Sequence, residues 1–483
     1  MEKVELFIHG KSVPATHGQV FNRVSPLDGS IASQAPRASL EDIDAAIESA
    51  SIGFSTWSKL KPTERKLKLL KAAEILEQNA ERIISIGTKE TGSSPSWYEF
   101  NVHLAANMLR EAASMVNQIN GSVMPTDTEH NISMSIRVPC GVVVGMAPWN
   151  APVILAIRAL AMPLACGNTV VLKASEGCPA VHVELVKILN ESGLGNGVIN
   201  VVTHSNEDAP WVVEHLVKHP KVKRINFTGS THVGKIIAAH AATCLKPVIL
   251  ELGGKAPVVV HEDANLDNAI NSIAFGAFFN QGQVCMSTER VIVHENIYQL
   301  FVEKLLAKTQ SLKAGNPYDK TNHIGVLESE KAAQRVRVLL EDALNKGAKI
   351  PLGVNIKGTV MQPTVVLDID ESMQIYSEET FGPICTVVSY ANVEEAIEIA
   401  NNTNYGLSAA VFSENMQIAH EIANQIESGI CHINGATIHD EAHVPFGGVK
   451  DSGYGTFGSN ASIEFFTQLR WVTVQTSPRH YPF

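Results

Sequence analysis

The stretch "GVVVGMAPWNAPVILAIRALAMPLACGNTVVLKASE", Gly141 to Glu176, holds a short β-branched run, a long apolar helix-like segment and a second β-branched run. Gly167 stands where the helix must end, because glycine enters a left-handed cap without steric cost. Strand, helix and strand in this order make a βαβ unit with parallel strands. The alternation continues through "AVHVELVKILNESGLG", "VINVVT", "APWVVEHLVKH", "KRINFTGS", "VGKIIAAHAATCL" and "PVILELGG". Such a series predicts a mostly parallel, doubly wound sheet in an α/β fold.

Downstream, a second series starts at "APVVV" and passes through "LDNAINSIAFGAFF". It then enters the polar loop "FNQGQVCMSTER" (Phe279 to Arg290), "RVIVHE" and an amphipathic region, Ile297 to Leu312. Two α/β domains are expected. Upstream, Leu40 to Gly121 carries apolar residues at helical spacing. "SMSIRVP" (Ser133 to Pro139) and "FFTQLRWVTVQT" alternate like strands, yet neither sheet has a place for them. Strands of this kind often pair between subunits, so a homodimer or homotetramer is expected.

Across 483 residues, Lys plus Arg number 38 against 49 Asp plus Glu, a formal net charge of -11. That balance argues against nucleic acid or an anionic membrane as partner. The apolar stretch Val153 to Cys166 is interrupted by Arg158 and is too short to span a bilayer. "MEKVELFIHG" does not read as a signal peptide, so a cytoplasmic enzyme is expected. The 7 cysteines lack CxxC or paired Cys/His spacing, which fits reduced thiols and no metal site.

Several strand ends carry chemistry. "NFTGSTHVG" sets Gly229 and Gly234 around Ser230 at a helix start, where backbone N–H groups and the dipole hold a phosphate; structural turn glycines are the other reading. Lys173 and Glu176 close "NTVVLKASE". A carboxylate there accepts both hydroxyls of a ribose and repels a 2'-phosphate, favouring NAD over NADP; a solvated loop charge is the alternative. "PWN" (Pro148 to Asn150), "LELGGK" (Leu250 to Lys255) and the cysteine loop also lie where strands stop, the usual place for ligands.

Taken in order, "PWN", "VLKASE", "FTGS", "LELGGK", "FNQGQVC", "EETFGP" and "PFGGVKDSGYG" resemble the aldehyde dehydrogenase superfamily over essentially the full length. The resemblance implies a Rossmann-like NAD-binding domain (1–120 and 142–252), a catalytic domain (253–435) and oligomerisation strands (121–141 and 462–483). It makes Cys285 the nucleophile, because a thiolate attacks an aldehyde carbon and the thiohemiacetal expels hydride. The Asn150 amide and the Cys285 N–H would hold the oxyanion, although without the other motifs Asn150 reads first as a helix N-cap. Glu251 resembles the general base that hydrolyses the thioester, so the product is a free acid. Trp149, Lys173, Ser175, Glu176, Gly229, Ser230, Gly234, Leu252 and Gly253 carry over as cofactor positions. Glu379 would hold the nicotinamide ribose, with Phe381 beside the ring. The glycines after Glu251 are expected to let the backbone approach the nicotinamide.

On substrate, "GQVCMSTER", "WYEFNVHLAANMLREAA" and the closing "YPF" resemble the branch acting on vanillin, salicylaldehyde and benzaldehyde, its vanillin-oxidising members most of all. Ala151 leaves space for a flat ring. Trp97, Tyr98, Val284, Met286 and Phe446 are candidate pocket walls, since aromatic and thioether groups pack well on rings. Arg158 lies two helical turns after Asn150, there to meet a ring hydroxyl or to form a buried ion pair. The alternative activity within the family is a semialdehyde or aliphatic aldehyde dehydrogenase.

Overall fold

In the computed structural model, which describes residues 1–483, strand Val142–Met146 leads into helix Pro152–Ala165 and then into the parallel strand Thr169–Lys173. Gly167 ends the helix at φ +86°, the left-handed conformation that its position requires. The apolar run of each strand divides by period two. Val143, Val170 and Leu172 join the helices Pro62–Gln78 to Pro179–Asn190 on one face; Val142, Val144 and Val171 join Leu40–Trp57 and Ala209–Lys218 on the other. Helices on both faces explain why these strands show no polar side.

The first sheet runs Gly453–Tyr454, Val248–Glu251, Val222–Thr228, Val142–Met146, Thr169–Lys173, Ile199–Val202, Leu6–Ile8, Lys11–Val13. Chain order reverses between Val142–Met146 and Val222–Thr228, which are parallel neighbours. A crevice opens beyond their carboxyl ends, because the following helices leave on opposite faces.

The second sheet holds six parallel strands in the order Thr364–Leu367, Ile384–Tyr390, Thr288–His294, Ala256–Val260, Ser408–Phe412, Ile430–Ile433. The short segment Leu252–Lys255 carries the chain from the first sheet to the second. Late in the chain, Gly453–Tyr454 returns to pair antiparallel with Leu250 and Glu251.

The two strands without a place in either sheet pair with each other inside one chain. Thr467–Gln475 runs antiparallel to Asn131–Pro139, whose other edge meets Ser122–Met124. The last strand is shorter than its alternating pattern suggests. Phe465 and Phe466 end the helix Ser459–Phe466, and Phe466 is fully buried with its carbonyl accepting from Asn168 Nδ2 at 2.8 Å. No helix is long and apolar enough to cross a membrane.

Candidate active site

Helix Leu266–Phe278 delivers the chain into a turn where Asn280, Gln281 and Gly282 take φ of 47°, 59° and 67°. Two consecutive non-glycine residues in the left-handed region cost about 1–2 kcal/mol each. Side-chain anchors offset that cost. Asn280 Nδ2 donates to the Asn150 carbonyl at 3.1 Å; Gln281 Nε2 donates to the Val326 carbonyl at 2.9 Å and its Oε1 accepts from Gly325 N at 3.0 Å. Gln283 Oε1 accepts from Glu328 N at 2.9 Å. The polar residues of "FNQGQVC" thus fix the backbone that presents Cys285.

Asn150 is set from both sides. Its carbonyl also accepts from Trp97 Nε1 at 2.8 Å, and its own Nδ2 donates to the Gln283 carbonyl at 3.0 Å. One amide hydrogen of Nδ2 is therefore spent on orientation and the other is free. The N-cap reading of Asn150 does not hold: the cap of helix Pro152–Ala165 is Ala151, with no side-chain bond.

Two cavities meet here. The first, about 340 Å³, lies at the crevice of the first sheet and is lined by Trp149, Asn150, Thr228, Gly229, Ser230, Leu252, Gly253, Cys285, Arg335, Glu379 and Phe381, among others. Ser230 caps helix Thr231–Ala242, so the positive end of that helix faces the cavity. Trp149 meets Phe381 edge-on at 5.7 Å and also lines the adjoining cleft that holds Glu176. The second cavity, about 250 Å³, is largely apolar. Trp97, Phe100, Asn150, Ala151, Arg158, Phe275, Phe279, Val284, Cys285, Met286, Asp440 and Phe446 are among its walls.

Burial governs the charges. It pushes the Cys285 thiol up to about 12, with the Glu379 carboxylate adding to the rise and Arg158 opposing it. Glu251 is driven well above the carboxylate range by burial, and neither of its oxygens has a hydrogen-bond partner. Glu379 rises to about 7 through burial and the neighbouring Glu289, although Gly254 N donates to it at 2.9 Å. Burial works to raise Glu176, but Lys173, 3.9 Å away, together with a backbone hydrogen bond, His204 and Arg23 more than offsets it and holds the carboxyl below its ordinary value.

Residues 13–472 match the model of the aldehyde dehydrogenase family. The chain belongs to that family. It is 52% identical to a vanillin dehydrogenase of Pseudomonas fluorescens and 42% identical to a salicylaldehyde dehydrogenase of Pseudomonas putida, each over 100% of both chains. Its fold superposes on the crystal structure of a salicylaldehyde dehydrogenase from Pseudomonas putida G7 complexed with salicylaldehyde, at a TM-score of 0.97, 41% identity and full coverage of both chains. This aldehyde dehydrogenase is therefore an oxidoreductase acting on aldehydes, and its similarities lie with enzymes of aromatic aldehydes.

Most of the residues singled out from the sequence converge on the two cavities, with instructive exceptions. Tyr98 does not reach the aldehyde-side pocket; its ring packs on Gly87 and its hydroxyl pairs with Thr91 Oγ1 at 3.0 Å. Ser175 is buried, and its hydroxyl accepts from Gly177 N at 3.2 Å, shaping the turn before Glu176. Gly234 gives room to Leu252, whose side chain a Cβ there would strike at 2.4 Å. The glycines after Glu251 also clear room for their neighbours: a Cβ at Gly253 would meet Glu379 at 2.8 Å, and one at Gly254 the Cys285 carbonyl at 2.4 Å. Arg158 forms the ion pair, with Asp440, and lies over the Phe446 ring at 4.0 Å while still bordering the pocket. The Glu251 carboxylate stands behind the cavity walls, near Gly447.

Sequence reasoning missed Phe100, Phe275, Phe279 and Asp440 in the pocket. It also missed the buried pair Lys255–Glu289, at 2.5 Å, with Glu289 accepting from Thr380 N at 2.9 Å. That pair ties "LELGGK", the cysteine loop and "EETFGP" into one block. The available signal was that each charge sits inside a quoted motif.

Proposed function

We propose that this aldehyde dehydrogenase oxidises aromatic aldehydes to carboxylic acids with NAD, using Cys285 as nucleophile. One observation carries the reading: Asn150 and Cys285 are the residues common to the polar cavity and the aromatic one. The polar cavity fits a dinucleotide. Its floor is a helix N-terminus suited to a pyrophosphate at Gly229 and Ser230, and Glu379 and Phe381 stand at the end near Cys285. Glu176 with Lys173 would hold the adenosine ribose, and an ionised Glu176 disfavours the 2'-phosphate of NADP. When bound, the oxidised nicotinamide supplies a positive charge that favours the Cys285 thiolate, and an acceptor for the hydride.

The chain's own residues do the rest. Sγ of Cys285 adds to the aldehyde carbon, and the carbonyl oxygen gathers negative charge. The free Nδ2 hydrogen of Asn150 and the Cys285 N–H donate to it, in a setting where one such donor is worth about 100-fold or more in rate. Loss of hydride leaves a thioester on Cys285. Glu251 then takes a proton from water, for which a raised carboxyl is better matched than an ordinary one. That role requires its side chain to turn from behind the wall toward the thioester.

The aromatic preference rests on the pocket and on the relatives' names. Trp97 meets Phe279 edge-on at 5.1 Å, and Phe275 stacks on Phe279 at 4.7 Å, so the pocket carries a continuous aromatic wall against which a ring can pack. A semialdehyde substrate would need a free cation, and Arg158 is already engaged by Asp440. The three-stranded sheet, with Val123, Leu469 and Trp471 exposed, fits a contact between copies in a homo-oligomer. Free cysteines throughout fit a reducing, cytoplasmic setting.

The test follows NADH absorbance with vanillin, salicylaldehyde, benzaldehyde and a short aliphatic aldehyde. Oxidation of the aromatic members with a lower KM than the aliphatic one is expected. Absence of NADH with every aldehyde refutes the reading.

A further inference from the structure

The cysteine loop is gripped by one short segment, Gly325 to Glu328. Gln281 brackets the Gly325 N–H and the Val326 carbonyl, and Gln283 Oε1 accepts from Glu328 N at 2.9 Å. The segment lies outside every helix and strand, so its own place depends on what holds it from the far side. There the Val326 N–H donates to the Gly92 carbonyl, at the end of helix Ala80–Thr91, at 3.1 Å. Arg23, on strand Val20–Val24 of a small separate sheet, completes the grip. Its Nη1 pairs with Glu328 Oε1 at 2.7 Å, its Nη2 donates to the Glu328 carbonyl at 2.9 Å, and its Nε donates to the Glu90 carbonyl at 2.9 Å. All three guanidinium nitrogens are engaged, and the Arg23 and Glu328 side chains are only 12% and 14% exposed. A planar fork held in this way is a rigid strut, which a single flexible ammonium would not be. From Glu328 the path to the chemistry is short: it holds the Gln283 side chain, and the Gln283 carbonyl takes Asn150 Nδ2 at 3.0 Å.

We propose that Arg23 is a positioning residue for the oxyanion site: by fixing Glu328 against the Glu90 carbonyl it sets, through Gln283, where the Asn150 amide and the Cys285 N–H stand. This rests on the reading of Cys285 as nucleophile and Asn150 as oxyanion donor. Arg23 takes no part in the bonds made or broken there. Arg23 and Glu328 also line the cleft that holds Glu176, so a direct role in cofactor binding is the competing account, and it makes a different prediction.

The experiment follows NADH formation in single turnovers, at saturating NAD and with enzyme in excess over an aldehyde that the parent oxidises. It compares the parent, Arg23→Met, Gln283→Met and the double variant, and NADH fluorescence gives the Kd of each for the dinucleotide. Arg23→Met is expected to slow the turnover by about 10- to 100-fold, the cost of a displacement on the order of 1 Å at the reacting atoms, with Kd for NADH within about twofold of the parent. Gln283→Met is expected to slow it comparably, and the double variant to be no slower than the slower single one, because both substitutions cut the same link. Arg23→Lys keeps the charge without the fork and is expected to fall between parent and Arg23→Met; it carries the same cycle if Arg23→Met folds poorly. A parental single-turnover rate in the Arg23 variants, a defect confined to the Kd for NADH, or factors that multiply in the double variant overturn the inference and leave the reading of Cys285 intact. Unchanged turnover in Cys285→Ala overturns that reading, and this inference with it.

Discussion

The two cavities that meet at Cys285 are built by different means. On the polar side much of the wall is set by main-chain features, the segments after Val142–Met146 and Val222–Thr228, the start of Thr231–Ala242 and the Gly253 backbone, with Trp149, Arg335, Glu379 and Phe381 completing it. On the aromatic side they are large side chains from Trp97 and Phe100 on one helix, Phe275 and Phe279 around another, and Ile438 to Phe446 far along the chain. A site made of backbone is specified by sheet topology and tolerates little change in shape. A site made of side chains is respecified by single substitutions, so one scaffold can hold its cofactor and exchange its substrates.

The sharpest break removes the atom both cavities share. Cys285→Ala is expected to lower NADH formation by about 10⁴-fold or more, while circular dichroism and Tm stay near those of the parent. Unchanged turnover would dissolve the reading of a common centre. Glu251→Gln is expected to retain a first burst of NADH, close to one equivalent per subunit, and to slow steady turnover by about 10²- to 10⁴-fold. A burst that vanishes with the steady rate would move Glu251 out of hydrolysis.

The next pair separates the cavities. Phe100→Ala is expected to raise KM for benzaldehyde by about 3- to 10-fold, the worth of an aromatic pair, and to leave the KM for NAD alone. Glu176→Gln is expected to do the reverse, narrowing the preference for NAD over NADP by several-fold with aldehyde KM unmoved. Cross-talk in either direction would show the division to be false. The smallest effect is one of pH. With the thiol pushed up to about 12, the thiolate fraction of the free enzyme grows about tenfold per pH unit through the neutral range. Alkylation of Cys285 by iodoacetamide, followed by mass spectrometry, should climb accordingly, and should be faster at any fixed pH once NAD is bound.

What was legible in the sequence follows the same division. The parallel sheets could be read because strand ends and helix caps leave local marks, Gly167 at φ +86° being one, whereas Asn150, Glu251 and Cys285 were singled out only through the resemblance carried by the ordered motifs. The aromatic pocket was read only in part. Phe275 and Phe279 sit in "IAFGAFFN", where helical spacing marks all the apolar residues alike and does not say which of them turn toward a cavity. Tyr98 was misplaced because it is adjacent to Trp97, whereas neighbours on a helix point about 100° apart. Asp440 was invisible for another reason: its meaning depends on Arg158, which is distant in sequence and close only in the fold.

The upward push that its surroundings give the half-buried Cys285 thiol also bears on survival in an oxidising spell. Peroxides attack thiolates, and a thiol that stays S–H at cellular pH is a slow target. On the proposed chemistry, the cofactor that activates the sulfur toward aldehydes also opens it to oxidation, so peroxide is expected to inactivate the enzyme faster with NAD bound than without it.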